Sequence, residues 1–98
     1  MNVITPKEVA ALMANENELS IIDVRENEEV AAGAIPGIKH IPLGQLTERK
    51  AELDKTKEHI FVCRSGKRSA SACSQLEAEG YQVSNMMGGM NEWGGRVE

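Results

Sequence analysis

Ile60-Phe61-Val62-Cys63-Arg64-Ser65-Gly66-Lys67-Arg68-Ser69-Ala70-Ser71-Ala72-Cys73-Ser74-Gln75-Leu76 is the stretch around which the chain is organised. Ile60, Phe61 and Val62 form a short apolar run that reads as a buried strand, and the run stops at a cysteine followed by a polar, glycine-containing turn. From Ser69 the period changes. Ser69, Ala72, Cys73 and Leu76 fall at i, i+3, i+4 and i+7, one face of a helix whose small residues let it lie close against a sheet. Cys63 is therefore predicted to sit on a strand-to-helix turn.

That position has chemical consequences. The first N–H groups of a helix lack internal partners, and the helix dipole places partial positive charge there, so an anion is stabilised. A thiolate is such an anion, and a cysteine at a helix N-terminus beside cations commonly titrates between roughly 3.5 and 7.5 instead of about 8.5. Arg64, Lys67 and Arg68 place three cations within five residues of Cys63. Gly66 permits positive φ or a close approach, which a ring of inward-pointing N–H groups requires. The turn reads as a cradle for a charged sulfur.

Outward from this centre, strand and helix signals alternate. Val3 and Ile4 suit a short first strand, and Thr5-Pro6-Lys7-Glu8 is a helix start with Thr5 as N-cap, Pro6 in the first turn and Glu8 completing a capping box. Leu19 to Val24 reads as a buried strand, residues 26–32 as a short helix closed by Gly33, Ile38 to Leu43 as a short strand, and Gln45 to Leu53 as an amphipathic helix. Gly80 stops the helix after Cys63, Tyr81 to Met86 supplies the last strand, and Gly88-Gly89 turns into a short terminal helix carrying Trp93. This alternation predicts an α/β fold with a parallel sheet covered by helices on both faces. Ligand sites in such sheets lie beyond the carboxyl ends of the strands, where Cys63, Arg25 and the Gly88-Gly89 turn border one mouth.

Composition narrows the function. Ninety-eight residues suit one domain spanning residues 1–98, with a single modest core. A net charge of −4 argues against a general nucleic-acid binder, and three aromatic residues provide no stacking platform. The basic charge is local to Cys63. No apolar stretch reaches membrane-spanning length and the amino terminus has no signal-peptide pattern, so a cytoplasmic location is expected. Two cysteines ten residues apart read as one reactive thiol, Cys63, and one packed thiol, Cys73. No set of Cys, His and carboxylates has zinc-ligand spacing, and neither a metal nor a cofactor is expected. Gly66-Lys67-Arg68-Ser69 is no phosphate loop: Phe61 stands where a glycine is needed, and Arg68 separates the lysine from the serine. His40 and His59 have no carboxylate at a telling spacing and read as surface or structural residues.

Cys63-Arg64-Ser65-Gly66-Lys67-Arg68-Ser69 resembles the active-site loop of the rhodanese (thiosulfate sulfurtransferase) family, Cys-x-x-Gly-x-Arg followed by Ser or Thr. Asp23-Val24-Arg25 with Glu29, Gly33-Ala34-Ile35-Pro36-Gly37-Ile38 and Ile41-Pro42-Leu43 resemble its amino-terminal signature, and Gly88-Gly89-Met90-Asn91-Glu92-Trp93 its carboxy-terminal one. The resemblance implies a rhodanese-like fold and sulfur transfer through a persulfide on Cys63. It implies catalytic roles for Cys63 and Arg68, with Arg64, Ser65, Gly66, Lys67 and Ser69 binding the donor. Asp23 and Arg25 are by the same token structural. The donor expected is a small anion such as thiosulfate, and the acceptor cyanide, a thiol or a partner protein. Ala34, where many members carry histidine, and Val30, where an aromatic is common, depart from the pattern outside the loop.

Two other readings have a place. Cysteine-dependent phosphatases and some arsenate reductases use a related loop with five residues between Cys and Arg, whereas Arg64, Ser65, Gly66 and Lys67 make four here. The shorter ring suits one sulfur better than a tetrahedral phosphate, whose transfer depends on accurate positioning. The domain also suits a persulfide relay or regulatory module serving a partner protein, with the loop cations facing an acidic surface.

Overall fold

A computed structural model of the chain describes residues 2–15 and 18–98. Five strands among these residues, β1 (Asn2–Ile4), β2 (Ile21–Asp23), β3 (Lys39–His40), β4 (Glu58–Val62) and β5 (Gln82–Met86), form one parallel sheet in the order β1-β5-β4-β2-β3. The strand that leads into Cys63 is thus the central one. The α-helices are α1 (Pro6–Asn15), α2 (Asn27–Ala31), α3 (Leu46–Arg49) and α4 (Lys67–Glu77).

Side chains on a strand alternate between faces, and the core divides accordingly. Phe61 packs with Ile22, Val24 and Val83 beneath Ala72, Cys73 and Leu76 of α4. Ile60 and Val62 point the other way and pack with Ile21, Met86 and Val9 of α1. Helices therefore cover both faces, as expected. Phe61 and Val62 are wholly buried, and burying side chains of this kind stabilises by about 1.5–3 kcal/mol each, which makes β4 the anchor of both layers.

Local signals hold where neighbours in sequence decide. Glu8 Oε1 accepts the Thr5 N–H at 3.0 Å and Thr5 Oγ1 accepts the Glu8 N–H at 3.1 Å, the reciprocal capping box read from the sequence. Helix α4 begins at Lys67, two residues before the apolar stripe, because Gly66 with φ of +96° turns the chain directly into it. The strands expected over Leu19 to Val24 and Ile38 to Leu43 are shorter in strict terms, but their pairing continues through Val24 N–H to Val62 O, Ile60 N–H to Ser20 O and Leu43 N–H to Val24 O. The helix expected over Gln45 to Leu53 is three pieces: 3-10 turns at Leu43–Gln45 and Lys50–Glu52 flank the four α-helical residues of α3. Lys50 O accepts the Leu53 N–H at 2.9 Å and the Tyr81 hydroxyl at 3.0 Å, so the last turn closes tightly against Tyr81, just before β5, instead of continuing. The terminal helix is a 3-10 turn at Gly89–Glu92, and Trp93 caps it.

Asp23 and Arg25 tie the sheet end together. Asp23, fully buried, accepts the Arg25 N–H and two guanidinium nitrogens, Nε and Nη2, and Nη2 also reaches Gly33 O at 2.8 Å. His40 bonds Arg25 O, while His59 is buried between the Ser20 hydroxyl and Asp54 O, which makes it structural and not a surface residue.

Candidate functional site

Cys63 leaves β4 at the carboxyl edge of the sheet, in the crevice between the central strands and α4. Its Sγ accepts the Gly66 N–H at 3.0 Å and lies 3.3 Å from Ser69 Oγ. Burial pushes the thiol up, but hydrogen bonding from the Ser69 hydroxyl and from the N–H groups of Ser69, Gly66 and Ser65 outweighs it, so Cys63 titrates below the ordinary thiol value. The cradle is thus mainly one of peptide N–H groups and a hydroxyl. Of the loop cations, Arg68 is the one coupled to the Cys63 charge.

The N–H groups can turn inward because the loop carbonyls are held outward. Cys63 O accepts the Met90 N–H at 2.8 Å and Arg64 O accepts the Asn91 N–H at 2.9 Å. Gly66 O accepts the Ala70 N–H and Asn85 Nδ2, both at 3.1 Å. The turn after β5 thus buttresses the loop after β4. The fit is close: a Cβ on Gly89, whose φ is +59°, would stand 2.3 Å from Cys63 O and 2.7 Å from Arg64 O. Only glycine permits both that backbone and that approach.

Arg68, in the first turn of α4, donates to both carboxylate oxygens of Glu29 on α2, at 2.6 and 2.8 Å. Glu29 Oε1 also accepts the Glu26 N–H. The Arg68 hydrogen bond, with smaller help from these neighbours, holds the Glu29 carboxyl down at about 2. The hydrogen bond to Glu29 and its charge, with a smaller contribution from the charge on Cys63, favour the Arg68 cation against the cost of burial. A hollow of about 300 Å³ opens beside this pair, lined by Arg25, Glu29, Ala32, Arg64, Met90 and Asn91. The Arg64 and Lys67 head groups make no hydrogen bond or ion pair among the described residues. Among the described residues no three of His, Cys, Asp and Glu gather to hold a metal ion, and no helix is long and apolar enough to cross a membrane.

The match to known proteins is broad. The family description for the rhodanese-like domain fits residues 5–96. The chain belongs to the rhodanese-like family. YtwF of Bacillus subtilis is 47% identical over 83 residues, covering 85% of this chain and 81% of that protein. The human thiosulfate:glutathione sulfurtransferase is 34% identical over 101 residues, covering 88% of this chain and 87% of its own length. The crystal structure of a rhodanese-like domain protein from Staphylococcus aureus superposes with a TM-score of 0.95 at 35% identity, over 100% of this chain and 97% of that one.

Within this rhodanese-like domain, Cys63, Ser65, Gly66 and Ser69 come together around one sulfur. Arg64 faces the neighbouring hollow, and Arg68 turns to Glu29. Cys73 packs in the core, where burial, with the Glu77 charge adding, pushes its thiol up to about 12. The sequence reading placed the Gly88-Gly89 turn at the mouth but missed its hydrogen bonds to the loop. It also missed Asn85, which is buried and lies 2.5 Å from Ser69 Oγ. A signal was there: Asn85 is a polar residue two positions after inward-facing Val83, at the carboxyl end of a buried strand.

Proposed function

We propose that the domain transfers a sulfane sulfur through a persulfide on Cys63. The Cys63 thiolate attacks the outer sulfur of thiosulfate or a comparable anionic donor. An S–S bond forms to Cys63 as the donor S–S bond breaks, and sulfite leaves with the electron pair. An acceptor nucleophile, a thiol, a partner protein or cyanide, then takes the outer sulfur and Cys63 departs as thiolate. No oxidant or reductant is consumed. The observation that supports this reading best is the Cys63 sulfur inside a ring of N–H donors, which favours both the thiolate and the anionic persulfide. The N–H groups of Ser65, Gly66 and Ser69 form that ring, and the Ser69 hydroxyl closes it. Arg64 and Lys67, without partners of their own among the described residues, meet the donor's negative charge. Arg68 orients it from the edge while Glu29 holds the guanidinium in place. The reaction takes place in the cytoplasm.

Intact mass spectrometry after incubation with thiosulfate tests this. The expected result is a gain of one sulfur atom on the wild type, removed by cyanide and absent in Cys63→Ser. No gain on the wild type, or equal gain on the variant, overturns the assignment.

A further inference from the structure

Asn85 takes no part in the transfer described above, yet it holds a group that does. Its Nδ2 donates to Gly66 O at 3.1 Å, and because a carbonyl oxygen only accepts, the amide is oriented with Oδ1 toward Ser69. Ser69 Oγ lies 2.5 Å from that Oδ1 and 3.3 Å from Cys63 Sγ. An amide oxygen brings no proton to such a contact, so the Ser69 hydroxyl donates to it. Ser69 has one proton and two acceptors. With Cys63 protonated both needs are met, since the S–H donates to Ser69 Oγ and the Ser69 O–H to Asn85. With Cys63 ionised the sulfur and the amide oxygen compete. All three residues are buried, so water does not settle the contest.

We propose that Asn85 is a positioning residue that directs the Ser69 hydroxyl away from the resting sulfur and so moderates the ionisation of Cys63. This rests on the reading of Cys63 as the sulfur carrier. Moderation has a use, because a thiolate loses nucleophilicity as its pKa falls and attacks best when that pKa is near ambient pH. In the persulfide the negative charge sits on the outer sulfur, and Sγ makes little demand on the hydroxyl. When the acceptor bonds to the outer sulfur and the S–S electron pair returns to Sγ, the Ser69 proton swings from Asn85 to the departing thiolate.

The ionisable groups on the elements around Cys63 are Arg64 on the loop, Lys67, Arg68, Cys73 and Glu77 on α4, Glu58 and His59 on β4, Asp23 and Arg25 at the end of β2, Glu26, Glu28 and Glu29 at α2, and Glu92 after β5. Replacing Asn85 alters none of them. Ultraviolet absorbance of the thiolate, followed against pH, reads Cys63 directly, and Cys73 stays protonated throughout that range. Asn85→Leu is expected to lower the Cys63 midpoint by about one pH unit, the size of a hydrogen bond to a charged group. Adding Ser69→Ala is expected to cancel that gain, whereas Ser69→Ala alone moves the wild-type midpoint less. A midpoint unchanged or raised by Asn85→Leu, or an equal Ser69→Ala effect in both backgrounds, overturns the proposal. Asn85→Ala is the second variant if the leucine does not fold. In the wild type itself, the Asn85 side-chain amide resonances are expected to move as Cys63 titrates and to stay still in Ser69→Ala; a resonance that does not move overturns the proposal as well. None of these measurements needs sulfur transfer. A missing persulfide would therefore defeat the catalytic reading and leave the Asn85 coupling to be judged by its own titration.

Discussion

Arg68 and Glu29, thirty-nine positions apart, face each other as a fork on a carboxylate, with both guanidinium Nη atoms on separate oxygens at 2.6 and 2.8 Å. The pair joins the helix that begins at the Cys63 loop to the short helix on the far side of the hollow. Such bidentate geometry fixes orientation as well as charge.

Glu29→Gln is accordingly expected to act on catalysis more than on stability. A half-exposed ion pair is worth about 0.2–1 kcal/mol, whereas misplacing a group that orients a reactant costs up to about a hundredfold in rate. Steady-state kinetics with thiosulfate should show kcat/KM reduced in Glu29→Gln and in Arg68→Lys, while the urea midpoint moves little. Unchanged kinetics in both variants would remove the fork from the mechanism. Glu29 also has an acid signature. Its folded pKa is depressed to about 2, so its contribution to stability is present at neutral pH and is lost as pH falls from the ordinary carboxylate range toward that value. Glu29→Gln should flatten that part of the acid unfolding curve.

Cys63 is lowered below the ordinary thiol value despite being buried. Its ionisation favours the folded state above the unfolded thiol pKa of about 8.5, and that contribution is lost as pH falls through the folded value. Thiosulfate-dependent persulfide formation should therefore remain substantial below about pH 8.5. A rate that follows the ionisation of a free cysteine would contradict the N–H cradle.

Cys73 behaves in the opposite sense. Its folded pKa is raised to about 12, so the unfolded chain releases the proton first and stability falls as pH rises from about 8.5 toward that value. Cys73→Ala should remove that alkaline decline while costing about 1 kcal/mol at neutral pH. Denaturant melts across the alkaline range measure both, and an unchanged slope would mean that Cys73 ionises freely in the fold.

Gly89→Ala is expected to destabilise by about 1–3 kcal/mol and to cost sulfur transfer as well, since the new methyl would drive the loop carbonyls away from Met90 and Asn91. Gly37→Ala is the control. Gly37 also has positive φ, at +79°, but nothing lies within 4 Å of its Cβ position, so it should lose only the backbone contribution of about 1–2 kcal/mol and keep its transfer rate. Equal transfer by the two variants would show that the Gly89 approach does not shape the cradle.

The sequence by itself determined what neighbouring residues decide. The Ile60 to Val62 strand, the left-handed Gly66, the helix stripe of Ala72, Cys73 and Leu76 and the Thr5–Glu8 capping box are all set by interactions a few positions apart, and each has a period or a spacing that can be read. The parallel sheet follows from their alternation. The order β1-β5-β4-β2-β3 does not, because a parallel crossover fixes the direction of a strand and leaves open which edge it joins. Tertiary structure alone also decided how the cradle is held. Glu29 meets Arg68, Asn85 meets Ser69 and Gly66, and Met90 and Asn91 meet the loop carbonyls only after separate strands have docked side by side. Hydrogen bonds reach about 3 Å, and residues so far apart in the chain carry no mutual spacing from which that proximity could be read.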